Sequence, residues 1–431
     1  MTKLSSEIKY RLLLAISQEI SRSLDLPDVL KHLVAYVRTA VGYDAAGIFV
    51  LNRRVSITAD AGANLIAGMA TVGFAADPNP DDEMLGSGKG IVGHVILTGE
   101  TVIAPDVGRD PRYVCGRQST RSEIAVPITS NTRVIGALNL ESDSFDAYSS
   151  EDAELLEFFA TAAALAIEKA MLHHQALETE RLRHQLDIAR EVQTCLLPGR
   201  PPSVSGYDIA GVCLSSLEIG GDYFDYLPFR DGRLGLVIAD VSGKGVPAAL
   251  IMATFRAALR TEIRREHNIP RVLGEVNGIL RHSMGSSRFV TAVCGVLDPR
   301  DGSMTYVNCG HNPPVLLRAD GTRTLLDHGV GALGLFRGAP PDTATVMLAP
   351  EDVLVFYTDG VVETWDSHDN DYGLPRLEQV VRQSADLDAG AVIDRIVAST
   401  QAFTGRTSYD DDFTVMIVRR TDGASRAHPQ A

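Results

Sequence analysis

Four aspartates stand where apolar runs give way to loops. Asp222 follows Gly220 and Gly221 and opens the run YFDYLPF. Asp240 closes LGLVIA and precedes Ser242, Gly243 and Gly245. Asp359 closes VLVFYT and precedes Gly360. Asp411 is the middle of the triplet Asp410–Asp411–Asp412, just ahead of FTVMIV. Short apolar runs rich in Val, Ile, Phe and Tyr read as buried strands. Each acid therefore sits at a strand–loop junction, and a sheet fold can gather such ends at one edge. Singly, an Asp–Gly step at a strand end is a common turn. The joint pattern within one region is what points to chemistry.

Gathered carboxylates repel one another and cannot all stay ionised alone. A hard divalent cation such as Mg²⁺ or Mn²⁺ reverses that cost, because it prefers oxygen ligands. The flanking glycines let backbone carbonyls and water come close. The expected chemistry is a carboxylate-only metal site, with two ions as the fuller reading. Two such ions roughly 3.5–4 Å apart can hold a hydroxide and clamp a phosphoryl group.

Five stretches carry a family resemblance: IGGDYFDY (219–226), IADVSGKGVPAALIMA (238–253), NCGHNPPVLL (308–317), FYTDGVVE (356–363) and DDDFTVMIV (410–418). In this order they resemble the bacterial SpoIIE/RsbU-type serine phosphatases of the PPM family of metal-dependent protein phosphatases. AREVQTCLLPG (189–199) is similar to the helix that leads into such domains. The resemblance implies a PPM-type α-β-β-α sandwich over residues 201–420. It implies that Asp222 and Asp240 are shared by two ions, that Asp359 and Asp411 each support one, and that the backbone of Val241 adds a carbonyl. The implied reaction is hydrolysis of a phosphoserine or phosphothreonine monoester by a metal-bridging hydroxide, with no phosphoenzyme. The implied partner is a phosphorylated STAS-domain anti-sigma-factor antagonist.

The chain departs from the wider family at one point. Where many relatives carry a His after the second metal Asp and its Gly, this chain has Ser242. His311, in the turn CGHNPP, is expected to order that turn rather than to donate a proton. No Arg stands out as a phosphate ligand. Cys294 and Cys309 sit in apolar strands and read as core. GGDYF lacks the fourth acid of the GGDEF cyclase signature, since Tyr223 stands there. Both copies of SGKG (87–90 and 242–245) lack the Ser or Thr that a phosphate-binding loop needs after Lys. Met284 and the run AALIMATFRAAL read as packing.

Strands and helices must hold those ends in place. From Tyr207 the chain is strand-rich, at YDIAGVCLSS, DYFDYLPF, RLGLVIADV, FVTAVCGVLD, MTYVNCG, PVLLRA, DTATVML, EDVLVFYTD and FTVMIVRR. Helices are expected at 246–266, 270–284 and near 376–402. The first of these follows Asp240 directly and is the expected movable element. A long helix is expected from Ser150 to Leu197, ending at Pro198 and the boundary GRPPSVSG. Its residues Leu182, Leu186, Ala189, Gln193 and Leu196 alternate steps of four and three. That spacing makes a two-helix seam and predicts a parallel homodimer through a connector over 171–200.

The N-terminal part alternates helix and strand. Ile8, Leu12, Ile16 and Ile20 form one apolar stripe, placing a helix within residues 1–24. A second helix begins near Pro27, with Asp25 as its cap and Leu30, Leu33, Val34 and Val37 on its buried face. Strands are expected at AAGIFVL, VSITAD, TVIAPD, SEIAVPIT and RVIGALNLES, and GSGKGIVGHVILTGE reads as a loop entering a short helix. Residues 88–114 and 121–142 carry a resemblance to GAF sensory domains. It implies an antiparallel sheet with flanking helices over 25–170 and a small ligand or a dimerising role. The residue set of cyclic-nucleotide GAF domains does not assemble here, and Cys115 reads as an idle loop thiol. The fold class expected is thus α+β throughout, with a flexible tail at 421–431.

Composition narrows the classes. The chain has 431 residues, 45% of them hydrophobic, which suits two or three soluble domains. Lys plus Arg is 40 and Asp plus Glu is 55, so the formal net charge is −15. Such a surface repels phosphate backbones, so no nucleic-acid partner is expected. Five cysteines form no CxxC pair, which points to a reducing compartment. MTKLSSEIKY has no apolar signal core, and the run Phe158–Ile167 is too short to span a bilayer. No membrane association and a cytoplasmic location are expected. Two rival readings remain: a degenerate phosphatase acting as a binding scaffold, and a GAF receptor whose phosphatase domain is weak.

Overall fold

The computed structural model describes residues 23–52, 66–74, 88–284, 288–335 and 342–421. The expected helix within 1–24, the strand VSITAD and the tail beyond 421 lie outside these residues. The chain divides into two compact units, Met1–Leu182 and Arg183–Ala431.

In the first unit, α1 (Leu26–Val37) starts where the Asp25 side chain accepts the Asp28 N–H at 3.2 Å, with proline in the first turn. It buries Val29, Leu30, Leu33, Val34 and Val37, as its spacing requires. Five strands follow: β1 (Ala45–Leu51), β2 (Ile66–Val72), β3 (Val102–Ala104), β4 (Ser122–Ser130) and β5 (Arg133–Ser142), with α2 (Gly90–Thr98) between β2 and β3. They form one antiparallel sheet in the order β2-β1-β5-β4-β3. Alternation along the strands splits its faces. Ile48, Ile124, Val126, Leu138 and Leu140 pack with α1 and with the start of the long helix α3 (Ser150–Thr194). Ala125 and Ala137 pack under Ile91, Val95 and Ile96 of α2. The strand β2 was not expected: IAGMATV is rich in small residues, and its pairing with β1 rather than its own propensity makes it a strand.

The second unit holds two sheets. One runs β13-β10-β9-β8-β7 with β14 paired to β10, the other β12-β11-β15-β16-β6. The elements are β6 (Tyr207–Leu214), β7 (Tyr223–Pro228), β8 (Leu234–Val241), α4 (Val246–Glu262), α5 (Ile269–Ser283), β9 (Val290–Asp298), β10 (Ser303–Cys309), β11 (Val315–Leu317), β12 (Arg323–Leu325), β13 (Gly329–Val330), β14 (Ala344–Met347), β15 (Val353–Tyr357), α6 (Asp359–Val362), α7 (Gly373–Arg382), α8 (Ala389–Thr404) and β16 (Phe413–Arg420). Three apolar layers stack. Phe224, Leu236, Ile238, Leu316, Phe356 and Met416 fill the space between the sheets. Val237, Ala239, Met252, Phe255 and Val276 lie between the first sheet and α4–α5. Val355, Leu377, Ile396, Val415 and Ile417 lie between the second sheet and α7–α8. Three buried layers require four layers of elements, which is the expected α-β-β-α sandwich.

Register carries the acidic ends together. Tyr223 pairs with Ala239, so the residues just beyond, Asp222 and Asp240, emerge side by side. Tyr357 pairs with Val415, and the Thr358 N–H donates to the Thr414 carbonyl at 3.0 Å, which brings Asp359 beside the Asp410–Asp412 turn. The helix α3 stops at Thr194, and Leu196 and Leu197 turn off it to pack on the core beneath α4 and α5. Of the five residues of the expected seam, Gln193 and Leu196 are engaged within the second unit, Gln193 on the backbone of Gly220. Among the described residues no helix is long and apolar enough to cross a membrane.

One buried ion pair pins α4 to its sheet. The Asp225 side chain is wholly buried on β7 and accepts from Arg260 Nε at 2.6 Å and Nη2 at 2.7 Å, with Tyr223 donating its hydroxyl as well. Removing the cation strands a desolvated carboxylate. Arg260→Ala is expected to lower unfolding free energy in urea by about 3 kcal/mol. A loss under about 1 kcal/mol would place the pair among weak surface bridges instead.

Candidate metal centre

Asp222 is almost fully buried, at 3% exposure. One of its oxygens, Oδ2, accepts from Thr358 Oγ1 at 2.8 Å and from Thr414 Oγ1 at 2.6 Å. The two threonines are themselves joined, since the Thr414 N–H donates to Thr358 Oγ1 at 3.0 Å. Asp222 is thus fixed from the second sheet while its backbone belongs to the first. Burial, and then the neighbouring Asp240, holds its carboxyl well above the ordinary range. Burial, followed by Asp359, Asp411 and Asp412, pushes Asp240 up to about 7, and Asp222 shares a hydrogen bond with it. Asp359 is raised by burial and then by Asp411. Asp240 thus lies within reach of the charges of Asp359 and Asp411, and Asp222 within reach of that of Asp240.

The members of the Asp410–Asp412 triplet separate by role. Asp410 pairs with Arg406 in solvent, at 2.8 Å. Asp411 is half-exposed, and Lys244 Nζ lies 3.0 Å from its Oδ2 while also donating to the Asp410 carbonyl at 2.7 Å. Asp412 turns inward and spends both oxygens on the loop ahead of Asp222. Its Oδ1 accepts the Ser216 N–H at 2.8 Å and its Oδ2 the Gly221 N–H at 2.6 Å. A Cβ at Gly220 would stand 2.3 Å from Asp412 Oδ2, so any larger residue there would push the Asp412 carboxylate aside. A Cβ at Gly221 would stand 3.0 Å from the Val241 carbonyl oxygen, which places this carbonyl beside the same loop.

These donors suit a hard divalent cation in type: they are oxygen only, anionic and largely desolvated. Among the described residues no three His, Cys, Asp or Glu side chains gather closely enough to hold an ion. Lys244 lies against Asp411, where its ammonium offsets part of the carboxylate charge. An exposed lysine pair of this kind is weak and gives way easily.

Of the residues around the site, Thr358, Thr414, Asp412 and Lys244 escaped the sequence reading. The threonines adjoin strand ends in YTDG and DDFT, but a hydroxyl in a strand carries no signal of its partner. His311 behaves as expected. It is buried, its Nδ1 accepts from Thr291 Oγ1 at 2.8 Å, and its Nε2 donates to the Tyr357 carbonyl at 3.2 Å. Burial pushes it down to about 4, so it stays neutral and orders the turn. Ser242 Oγ accepts the Phe289 N–H at 2.9 Å, a structural role. Cys294 and Cys309 are buried, and Cys115 is exposed. In the first unit Glu123 and Glu141 face one another across β4 and β5, both buried, with the Asn139 amide donating to Glu123 at 3.0 Å. Burial, and then Glu141, pushes Glu123 up to about 8.

Two family models match the chain, one in each unit. Residues 23–168 match the GAF domain family, and residues 230–421 match the Stage II sporulation protein E (SpoIIE) family. The second match contains Asp240, Asp359 and Asp411 and begins after Asp222. The chain thus carries a GAF domain followed by a SpoIIE-type domain of the PPM class, a metal-dependent class of phosphatases. Among its relatives is phosphoserine phosphatase RsbU of Bacillus subtilis, 25% identical over 254 residues, covering 58% of this chain and 75% of RsbU. Protein IcfG of Synechocystis sp. is 26% identical over 266 residues, covering 55% of this chain and 42% of IcfG. The chain therefore spans less than half the length of that relative. The solved PP2C domain of SiaA from Pseudomonas aeruginosa shares the fold, at 24% identity and a TM-score of 0.50, over 57% of this chain and 98% of that one.

The crowding has a thermodynamic signature. Asp240 titrates near 7 in the folded chain and near 4 when unfolded. In metal-free protein its contribution to stability is full below about pH 4 and is lost as pH rises through about 7. Asp240→Asn, melted in chelator, is expected to gain several degrees over wild type at pH 8 and almost nothing at pH 4. Equal melting temperatures at pH 8 would mean that the carboxylates do not oppose one another.

Proposed function

We propose that this chain is a metal-dependent serine/threonine protein phosphatase whose GAF domain adjusts its rate. The observation that supports the reading is that the strand registers bring Asp222, Asp240, Asp359 and Asp411 to one end of a PPM-type sandwich, where crowding and burial raise the carboxyls of Asp222, Asp240 and Asp359. Two Mn²⁺ or Mg²⁺ ions, when bound, supply a hydroxide nucleophile at neutral pH and neutralise charge on the phosphoryl oxygens. Asp222 and Asp240 would be shared by both ions, Asp359 and Asp411 would each hold one, and the Val241 carbonyl would add a neutral donor.

The remaining residues orient these donors. Thr358 and Thr414 hold Asp222 in one rotamer, as outer-shell partners do. Lys244 releases Asp411 when a cation arrives. No side chain needs to attack phosphorus: Cys294 and Cys309 are in the core, and the nitrogens of His311 are both engaged.

The substrate in this reading is a phosphoserine or phosphothreonine on a STAS-domain anti-sigma-factor antagonist, so the output is transcriptional without DNA contact. Likeness to a phosphoserine phosphatase and a net charge of −15 support a phosphoprotein rather than a nucleic acid. The protein works as a cytoplasmic homodimer joined through α3. In its support, Leu172, Leu177, Leu182, Ile188 and Val192 are each about half or more exposed along that helix. A small ligand of the GAF domain turns the connector, and α4, which follows Asp240, passes the change to the metal centre.

The test is Mn²⁺-dependent release of phosphate from a phosphoserine protein by wild type and Asp240→Ala. Wild type is expected to be active, and the variant to lose nearly all activity while keeping its circular dichroism. A variant close to wild type would reject the assigned core, and an inactive wild type would favour a binding scaffold.

A further inference from the structure

The loop from Ser215 to Asp222 joins β6 to β7 and delivers the most buried of the four acids. Few groups hold it. On one side Asp412 takes the N–H groups of Ser216 and Gly221. On the other, a single side chain takes both polar groups of one residue: Gln193 Nε2 donates to the Gly220 carbonyl at 2.7 Å, and Gln193 Oε1 accepts the Gly220 N–H at 3.1 Å. Gly220 lies close against Asp412, since a Cβ added there would stand 2.3 Å from Oδ2. The loop is therefore gripped between two fixed points.

The grip on the Gln193 side is itself anchored. Gln193 lies in the last turn of α3, and the Leu196 N–H donates to its carbonyl at 2.8 Å. Leu196 and Leu197 then sink into the core beneath α4 and α5. The amide that the heptad spacing assigned to a helix–helix seam is spent instead on a loop two residues from Asp222.

We propose that Gln193 is a positioning residue for the metal centre: its amide clasps Gly220, sets the place of Asp222, and so fixes the affinity of the carboxylates for divalent cations. This rests on the metal-dependent reading above. Gln193 touches neither substrate nor ion; it acts through the loop backbone. Only an amide matches both groups of Gly220 at once. A carboxylate there would keep the N–H bond and turn an oxygen against the Gly220 carbonyl.

The test uses the full chain and three readouts: Mn²⁺ affinity by calorimetry, amide hydrogen exchange of the 215–222 segment without metal, and phosphate release at saturating Mn²⁺. Gln193→Met keeps volume and helix propensity but removes both bonds. It is expected to weaken Mn²⁺ binding roughly 10–100-fold, the range seen for outer-shell partners. Exchange at 215–222 should quicken, the melting temperature of metal-free protein should stay near wild type, and kcat should recover at saturating Mn²⁺ with KM for the phosphoprotein unchanged. Gln193→Glu is expected to bind Mn²⁺ more weakly still. Wild-type Mn²⁺ affinity and exchange in both variants would overturn the proposal alone. A wild type that binds no Mn²⁺ would overturn it together with the metal-dependent reading.

Discussion

Like charges do not share a desolvated corner without a reason. Asp222, Asp240, Asp359 and Asp411 come from both sheets, and the strand registers leave them no freedom to avoid one another. Folding must accept either bound protons or a bound cation at that end of the sandwich. Much else in the C-terminal unit serves this one constraint. Thr358 and Thr414 hold Asp222 from the opposite sheet, Asp412 and Gln193 grip the loop that carries it, and Asp225 with Arg260 pins the helix that follows Asp240.

The sandwich follows from ordinary alternation. Strands such as LGLVIADV send Leu236 and Ile238 to the space between the sheets and Val237 and Ala239 to the helices. Both faces of both sheets are thereby apolar, and helices must cover the outer ones. The acids sit where these apolar runs end.

The strand-rich order, the two helices after Asp240 and the place of the four acids at strand ends were legible because each depends on local pattern. Other features were not. The strand β2 exists through pairing with β1, and its Ala and Gly residues give no periodic signal. The division of labour in the Asp410–Asp412 triplet depends on which way a turn faces, and three adjacent identical residues hide it. Gln193 was misplaced for a related reason. Its spacing fits a seam, but hydrogen bonding to Gly220, 27 residues onward, decides its position. Long-range polar pairing of this kind, like that of Thr414 with Asp222, leaves no trace in a single sequence.

The central claim concerns where divalent cations reside. Anomalous diffraction from crystals grown with Mn²⁺ tests it most directly. The account predicts anomalous density bounded by the carboxylates of Asp222, Asp240, Asp359 and Asp411, with Lys244 moved off Asp411. Mn²⁺ density elsewhere, with those four side chains still held by protons and by Lys244, would contradict it.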